Sequence, residues 1–322
     1  HGAGSLRYMN SGADARSVRP RQAAQPAQTG LQLDVIPLVR DYISLTKPRI
    51  ISLLLLTTVA TMFVADPSGP ALSTILWTML GGYLAAGGAG AINHYIDRNR
   101  DAQNNRTKGR PLADGRVKPL HGLIFGITLG VVAFFQLWLT VNLLAAGLAM
   151  VGLFGYVFLY TLWLKPLTPQ NIVIGGSAGA VPPLVGWAAA SGSLSWDAMW
   201  PFLIIFFWTP PHFWALSLMI KDDYAKTGVP MLPVVKGEEA TRQAILIYTI
   251  FMVGFTVGPY CTGLLGPLYL AASIVLGVVY IGFSFALWRK PSPKLTLQAY
   301  LYSLAYLALL FISMAVAAVA AA

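Results

Sequence analysis

The sequence predicts an all-α, polytopic membrane protein of nine transmembrane helices, and three observations lead there. Only 11% of the 322 residues are charged while 56% are hydrophobic, with a mean hydropathy of +0.62; a soluble domain carries about a quarter charged residues. Nine apolar runs come close to or exceed the ~20 residues that cross a bilayer. The basic residues, finally, all fall on one side of those runs. Lipid offers backbone groups no partner and nothing alternates with a barrel strand's period, so every run is expected as a helix.

The runs cover residues 48–65, 73–96, 119–141, 143–164, 170–190, 199–220, 242–263, 267–288 and 296–319. The first opens on Lys47-Pro48-Arg49, with Pro at a first-turn position that tolerates its missing N–H. The second leaves the apolar region through Asn93, His94 and Asp97. Only Asn142 separates the third from the fourth. The fifth carries Gly175, Gly176, Gly179 and Pro182-Pro183. These resemble the interruptions of broken transport helices, and equally allow close helix packing, the preferred reading. Thr209-Pro210-Pro211 is expected to kink the sixth. Cys261, the sole cysteine, lies in the seventh and reads as packing, so an intrachain disulfide and a cysteine metal site are excluded. Residues 1–30 are rich in Arg, Ser, Ala and Gln, as in a disordered basic tail, a processing remnant or part of a transit peptide. The domain reading is a disordered basic N-terminal tail over 1–40 and a nine-helix domain over 41–322.

Seven of the 22 cations precede or open the first run, ending at Arg49, and seven lie over 98–118. Lys165 follows the fourth run, four more occupy 221–242, and three occupy 289–294. All share the side of the N-terminus. The positive-inside rule then places the N-terminus and the long loops in the cytoplasm or its equivalent, with the C-terminus outside. That distribution explains the net charge of +10 without nucleic acid. A length near 320 with little N-terminal extension favours a bacterial cytoplasmic membrane, the mitochondrial inner membrane being the alternative.

The stretch AINHYIDRNRDAQNNRTKGRPL, residues 91–112, carries the chemistry. Steps of four keep Asn93, Asp97 and Asp101 on one helical face where the second helix leaves the hydrocarbon. Polar groups at such a depth mark function, and hard oxygen ligands in this spacing suit Mg²⁺ shared with a substrate's phosphates. Arg106, Lys108 and Arg110 follow at once, with the fork and point-charge geometries that hold phosphate oxygens. The bland reading is a solvated loop obeying topology. A second acidic group, Asp222-Asp223 after Lys221, closes the sixth helix on the same side. It reads either as a loop cap or as a partner site across a shared cavity. Lys47 and Arg49 serve as snorkelling anchors or as an extra phosphate clamp. His212, beside the Pro pair, and His94, inside the first motif, stand between packing residues and ligands.

Asn93, Asp97 and Asp101 followed by NRTKGRPL, the leading TKPRI, the central LYTLWLKPLTPQNIVIGGSAGAVPPLVGW and the late TPPHFWALSLMIKDDY together resemble the protoheme IX farnesyltransferases. These form a branch of the UbiA superfamily of intramembrane prenyltransferases. The resemblance covers about residues 44–236. It implies a UbiA-type bundle with its active site opening to the cytoplasmic side. It also implies transfer of farnesyl from farnesyl diphosphate to the 2-vinyl group of heme B with addition of water, giving heme O and diphosphate. Mg²⁺ would be the cofactor, on Asn93, Asp97, Asp222 and Asp223, with Asp101 supporting. Lys47, Arg49, Arg106, Lys108, Arg110 and Lys221 would hold the diphosphate, and His212 and His94 the heme. The implied partners are the two substrates, the bilayer and a downstream heme A synthase or oxidase assembly factor. Where the wider superfamily has a DxxxD second motif this chain has adjacent acids, which puts the second Mg²⁺ site in question. Against this stand a prenyltransferase for a quinone precursor or chlorophyll-like acceptor and, from a different class, an ion-coupled transporter. A transporter would place ionisable groups at the midplane, whereas these lie on one side.

Overall fold

The computed structural model describes residues 35–322. A short helix, α1 (Val35–Leu45), lies ahead of the first span, with Val35, Ile36, Val39 and Ile43 exposed along it. This helix overlaps the last residues of the expected 1–40 tail, whose first 34 residues lie outside the described ones. Among the described residues, nine helices are long and apolar enough to cross a membrane. They are α2 (Pro48–Ala65), α3 (Leu72–Ala102), α4 (Pro119–Thr140), α5 (Leu143–Leu167), α6 (Asn171–Ser191), α7 (Trp196–Met219), α10 (Gly237–Cys261), α11 (Pro267–Arg289) and α12 (Pro293–Ala320). Two short helices, α8 (Lys221–Lys226) and α9 (Leu232–Val235), fold the long loop after α7.

Each span packs against the next, and α12 returns to α2 to close a ring. Small residues permit the tight contacts. A side chain on Gly88 of α3 would stand 2.7 Å from the Gly126 carbonyl of α4, and one on Gly126 would stand 2.9 Å from the Gly88 carbonyl. Such backbone approach supplies the van der Waals contact that lipid-embedded helices need in place of a hydrophobic drive. The largest buried cluster joins α2, α6, α7, α10, α11 and α12 around Trp208, Tyr280, Tyr306 and Phe311. A smaller one joins α2, α3, α4, α5 and α6 around Met62, Leu137 and Val185.

The structure departs from the expected spans in three places that matter for the site. Helix α3 continues to Ala102, so Asn93, Asp97 and Asp101 all ride on one rigid helix. Helix α7 keeps its helical winding from Met199 to Met219 with Pro210 and Pro211 inside it, so residues on both sides of the Pro pair belong to one element. The fourth span changes geometry partway: Gly155–Leu164 is wound as a π-helix.

Candidate active site

The site forms at the basic end of the ring, and glycine builds its first wall. Gly87 and Gly90 let the turn between α1 and α2 lie directly on α3: a side chain on Gly90 would stand 3.2 Å from the carbonyls of Leu45 and Thr46. That seat carries Lys47 over Asn93. Lys47 adopts φ 59° and ψ 54°, and is the one non-glycine with positive φ among the described residues. A left-handed backbone costs a side-chain-bearing residue about 1–2 kcal/mol, and such strain concentrates where geometry serves function. The strain aims the ammonium inward, where it donates to Asn93 Oδ1 at 2.5 Å and to the Tyr156 hydroxyl at 3.3 Å. Burial, with Arg110 close by, pushes the Lys47 ammonium down from 10.5 to about 8.

Asn93, Asp97 and Asp101 face inward together at 3, 3 and 8% exposure. Asn93 Nδ2 donates to Asp97 Oδ2 at 2.9 Å and to Thr161 Oγ1 at 3.2 Å. Asp97 Oδ2 also accepts from Lys165 Nζ at 2.5 Å. Its other oxygen, Oδ1, is sealed from solvent and accepts no hydrogen bond; Arg100 stands 3.7 Å away. Asp101 pairs with Arg110 at 2.8 Å. Arg106 then reaches across to Asp223 on α8 at 3.7 Å, joining the two acidic groups over the site. Burial pushes the Tyr224 phenol of α8 up to about 12, so it stays a neutral donor.

Several expected members sit elsewhere. Lys108 is exposed and donates to Asn105 at 3.1 Å. Arg49 is exposed at the first turn of α2 and makes no ion pair among the described residues. Lys221 turns away to Glu238, which also holds Arg242. Asp222 is exposed beside the inward Asp223, because successive helical residues diverge by about 100°. The second acidic group is thus a single carboxylate.

His212 is half-buried between the rings of Trp208, at 4.3 Å, and Tyr300, at 5.0 Å, with Nδ1 2.6 Å from Ser303 Oγ. His94 is buried, its Nδ1 without a partner.

The residues that sequence reasoning missed, Lys165 and Thr161, come from α5. Both reach the Asn93–Asp97 pair while the Tyr156 hydroxyl reaches Lys47, and all three lie on or just beyond the π-helical stretch. Lys165 had one visible signal: it is a lone cation on the basic side between two spans. From Lys47 and Tyr156 an apolar pocket leads away between α2, α3, α5 and α6, past Ile51, Leu54, Ala89, Leu153 and Val181. Its cavity volume is about 220 Å³.

Chemically, this is a cationic cradle around buried oxygen ligands at the mouth of a greasy slot. Among the described residues no three His, Cys, Asp or Glu gather as a metal cluster. One buried carboxylate oxygen without a hydrogen-bond donor, next to an Asn amide, nevertheless fits Mg²⁺, which takes few protein ligands and completes its shell with water and phosphate. The exposed Asp222 does not fit a second site.

Residues 54–313 match the family model described as the UbiA prenyltransferase family. A protoheme IX farnesyltransferase of Roseiflexus sp. (strain RS-1) is 51% identical over 93% of this chain and 56% of its own. One from Symbiobacterium thermophilum is 49% identical over 89% of this chain and 97% of its own. The chain spans about half the length of the first relatives it matches. Among solved structures, that of a digeranylgeranylglyceryl phosphate synthase superposes with a TM-score of 0.72 at 17% identity, covering 88% of this chain and 99% of that one. A UbiA homologue from Archaeoglobus fulgidus bound to DMAPP and Mg²⁺ superposes with a TM-score of 0.62 at 15% identity, over 88% and 100%. At these identities the two structures speak for the fold.

Proposed function

From the premise that the chain belongs to the UbiA prenyltransferase family, we propose that it farnesylates the 2-vinyl group of heme B, with addition of water, to give heme O and diphosphate. One observation carries the reading. The buried Asn93–Asp97 pair, ringed by Lys47, Lys165, Arg100 and Arg110, opens into an apolar slot. A substrate with a diphosphate head and a long hydrocarbon tail matches both halves. The names of relatives near 50% identity support heme as acceptor.

The chain's own groups divide the work. Lys47, Lys165 and Arg110 are placed to receive the departing diphosphate as its charge develops, which is where preorganised cations lower a barrier most. Mg²⁺, held by Asn93 and Asp97 with Asp101 in support, would supply further neutralisation of that leaving group. The slot shields the farnesyl chain from premature water, and the stacked rings of Tyr156 and Tyr160, 5.5 Å apart, offer π-faces to an allylic cation. Arg106 and Asp223 tie the loop after α3 to α8, closing the cradle from above. His212, in its aromatic stack, is the proposed heme contact on the far wall, and His94 the second. The proposed placement has the basic end and N-terminus in the cytoplasm of a bacterial membrane, with a heme-consuming synthase or oxidase assembly factor as recipient.

The test is to incubate the purified full chain with reduced hemin, Mg²⁺ and farnesyl diphosphate and read products by mass. A farnesyl-plus-water gain that vanishes in Asp97→Ala and without Mg²⁺ is expected. If farnesyl diphosphate binds in a Mg²⁺-dependent way but heme is left unmodified, the acceptor assignment is wrong.

A further inference from the structure

The apolar slot has a definite depth, and two helices agree on it. Lys47 and Asn93 are hydrogen-bonded to each other and so mark one level at the mouth. Eleven residues further along α2 stands Thr58, and eleven residues back along α3 stands Gly82. These are the deepest positions at which either helix lines the slot. At ~1.5 Å of rise per residue, both paths run about 16 Å. Ala149 of α5 and Val185 of α6 complete that last layer.

One turn deeper the bundle is solid. Met62, Thr78, Ala145 and Ala189 each lie four residues beyond the floor on their own helix, and all are buried and line no part of the slot. Met62 is fully enclosed and belongs to one packed cluster with Ala85, Ala149 and Val185, three residues that do line it. At the same level Gly186 lets α6 rest on the Thr58 backbone, with which any side chain there would collide. Thr58 donates its hydroxyl to the Leu54 carbonyl at 2.9 Å, so the floor makes no polar demand on an occupant. Gly82 has the opposite effect to Met62. A side chain on it would stand 3.1 Å from Leu55 Cδ2, so its absence keeps the last turn of the slot open between α2 and α3.

A fully extended farnesyl group, a zigzag of ~1.5 Å carbon bonds, is about 14 Å long, and one more isoprene unit adds about 5 Å. The slot therefore holds the first length and not the second. We propose that its floor selects the isoprenoid by length, with Met62 as the stop and Gly82 as the gap that admits the third isoprene unit. This rests on the reading above only in seating the isoprenoid tail in the slot; it holds whatever the acceptor. Methionine suits the role of a stop, since its unbranched chain fills the irregular space beneath Thr58. A smaller residue in its place lengthens the slot, and a branched one in place of Gly82 shortens it.

The test is to titrate the full chain with geranyl, farnesyl and geranylgeranyl diphosphate in the presence of Mg²⁺ by calorimetry, then to supply reduced hemin and read products by mass. The wild type is expected to favour farnesyl over both neighbours. Met62→Ala is expected to raise the geranylgeranyl-to-farnesyl ratio of kcat/KM about tenfold. Gly82→Leu is expected to raise the geranyl-to-farnesyl ratio by a similar factor, the scale on which a hydrophobic pocket discriminates by methylene groups. Ratios taken within one preparation are insensitive to a misfolded fraction, and general destabilisation does not move two variants in opposite directions. Geranylgeranyl diphosphate serving the wild type as well as farnesyl diphosphate, or ratios unmoved in both variants, would overturn the length stop. If the binding ratios shift as expected while heme stays unmodified, the acceptor assignment falls and the stop stands. If none of the three diphosphates binds, the slot is not an isoprenoid site and both readings fall.

Discussion

At the scale of single residues the site turns on how a buried carboxylate is balanced. Asp97 keeps one oxygen on Lys165 and Asn93 and leaves the other without a hydrogen bond. Breaking a buried ion pair by removing one partner costs about 3–5 kcal/mol, because the remaining charge is stranded; Arg100, 3.7 Å from Oδ1, softens that cost here. Lys165→Ala is therefore expected to lower kcat/KM for farnesyl diphosphate by about 10²–10³-fold, the effect of deleting one preorganised donor to a leaving group. Mg²⁺ should raise the Tm of this variant more than that of the wild type, since a cation at Asp97 replaces the one removed. Equal shifts in a thermal-unfolding titration would count against a metal there. Lys47 supplies a pH signature. Its ammonium is held at about 8 against an ordinary 10.5, so diphosphate affinity should fall as pH rises through about 8. Stability moves the other way: between those two values the unfolded chain binds the extra proton, so this group's contribution to stability grows with pH. Lys47→Arg, charged throughout, should flatten the affinity profile measured by calorimetry.

At the scale of elements, what the sequence disclosed was periodic and what it hid was not. Asn93, Asp97 and Asp101 were legible because four-residue spacing is a helical face, and α3 carries them inward as expected. Asp222 and Asp223 were read together because they are adjacent, yet adjacency on a helix means divergence, and only Asp223 meets Arg106. Lys165 stayed hidden because its approach to Asp97 depends on the π-helical winding of Gly155–Leu164, which no simple apolar period announces. Wider winding accommodates an extra residue in the turn and shifts everything after it by about 100°, and such segments recur at functional sites. Inserting one alanine beside the exposed Leu162, beyond the residue this winding already absorbs, should rotate Lys165 by about 100° off Asp97. Farnesyl transfer should fall to the level of Lys165→Ala with helical circular dichroism unchanged. Activity close to wild type would mean that the winding is incidental.

At the scale of the whole molecule, one charge asymmetry connects topology to chemistry. Nine spans read from hydropathy match nine long apolar helices among the described residues, with ends that shift by a few residues, because bilayer thickness and backbone satisfaction leave little freedom. The cations that orient such a chain are also the ones that build the cradle: Lys47, Arg110 and Lys165 each open, follow or connect spans at the same end. In the proposed reaction topology and catalysis therefore draw on the same residues, and an inverted molecule would present the proposed diphosphate site to the wrong compartment. The chain offers its own probe of this. Cys261, its one cysteine, is exposed at the uncharged end of α10, while Gln103 is exposed at the basic end just after α3. In intact spheroplasts a membrane-impermeant maleimide should label Cys261. A Gln103→Cys, Cys261→Ser variant should be labelled only in inverted vesicles. The reverse pattern would place the diphosphate cradle outside the cytoplasm, away from a cytosolic supply of farnesyl diphosphate, and the proposed reaction would then lose its substrate.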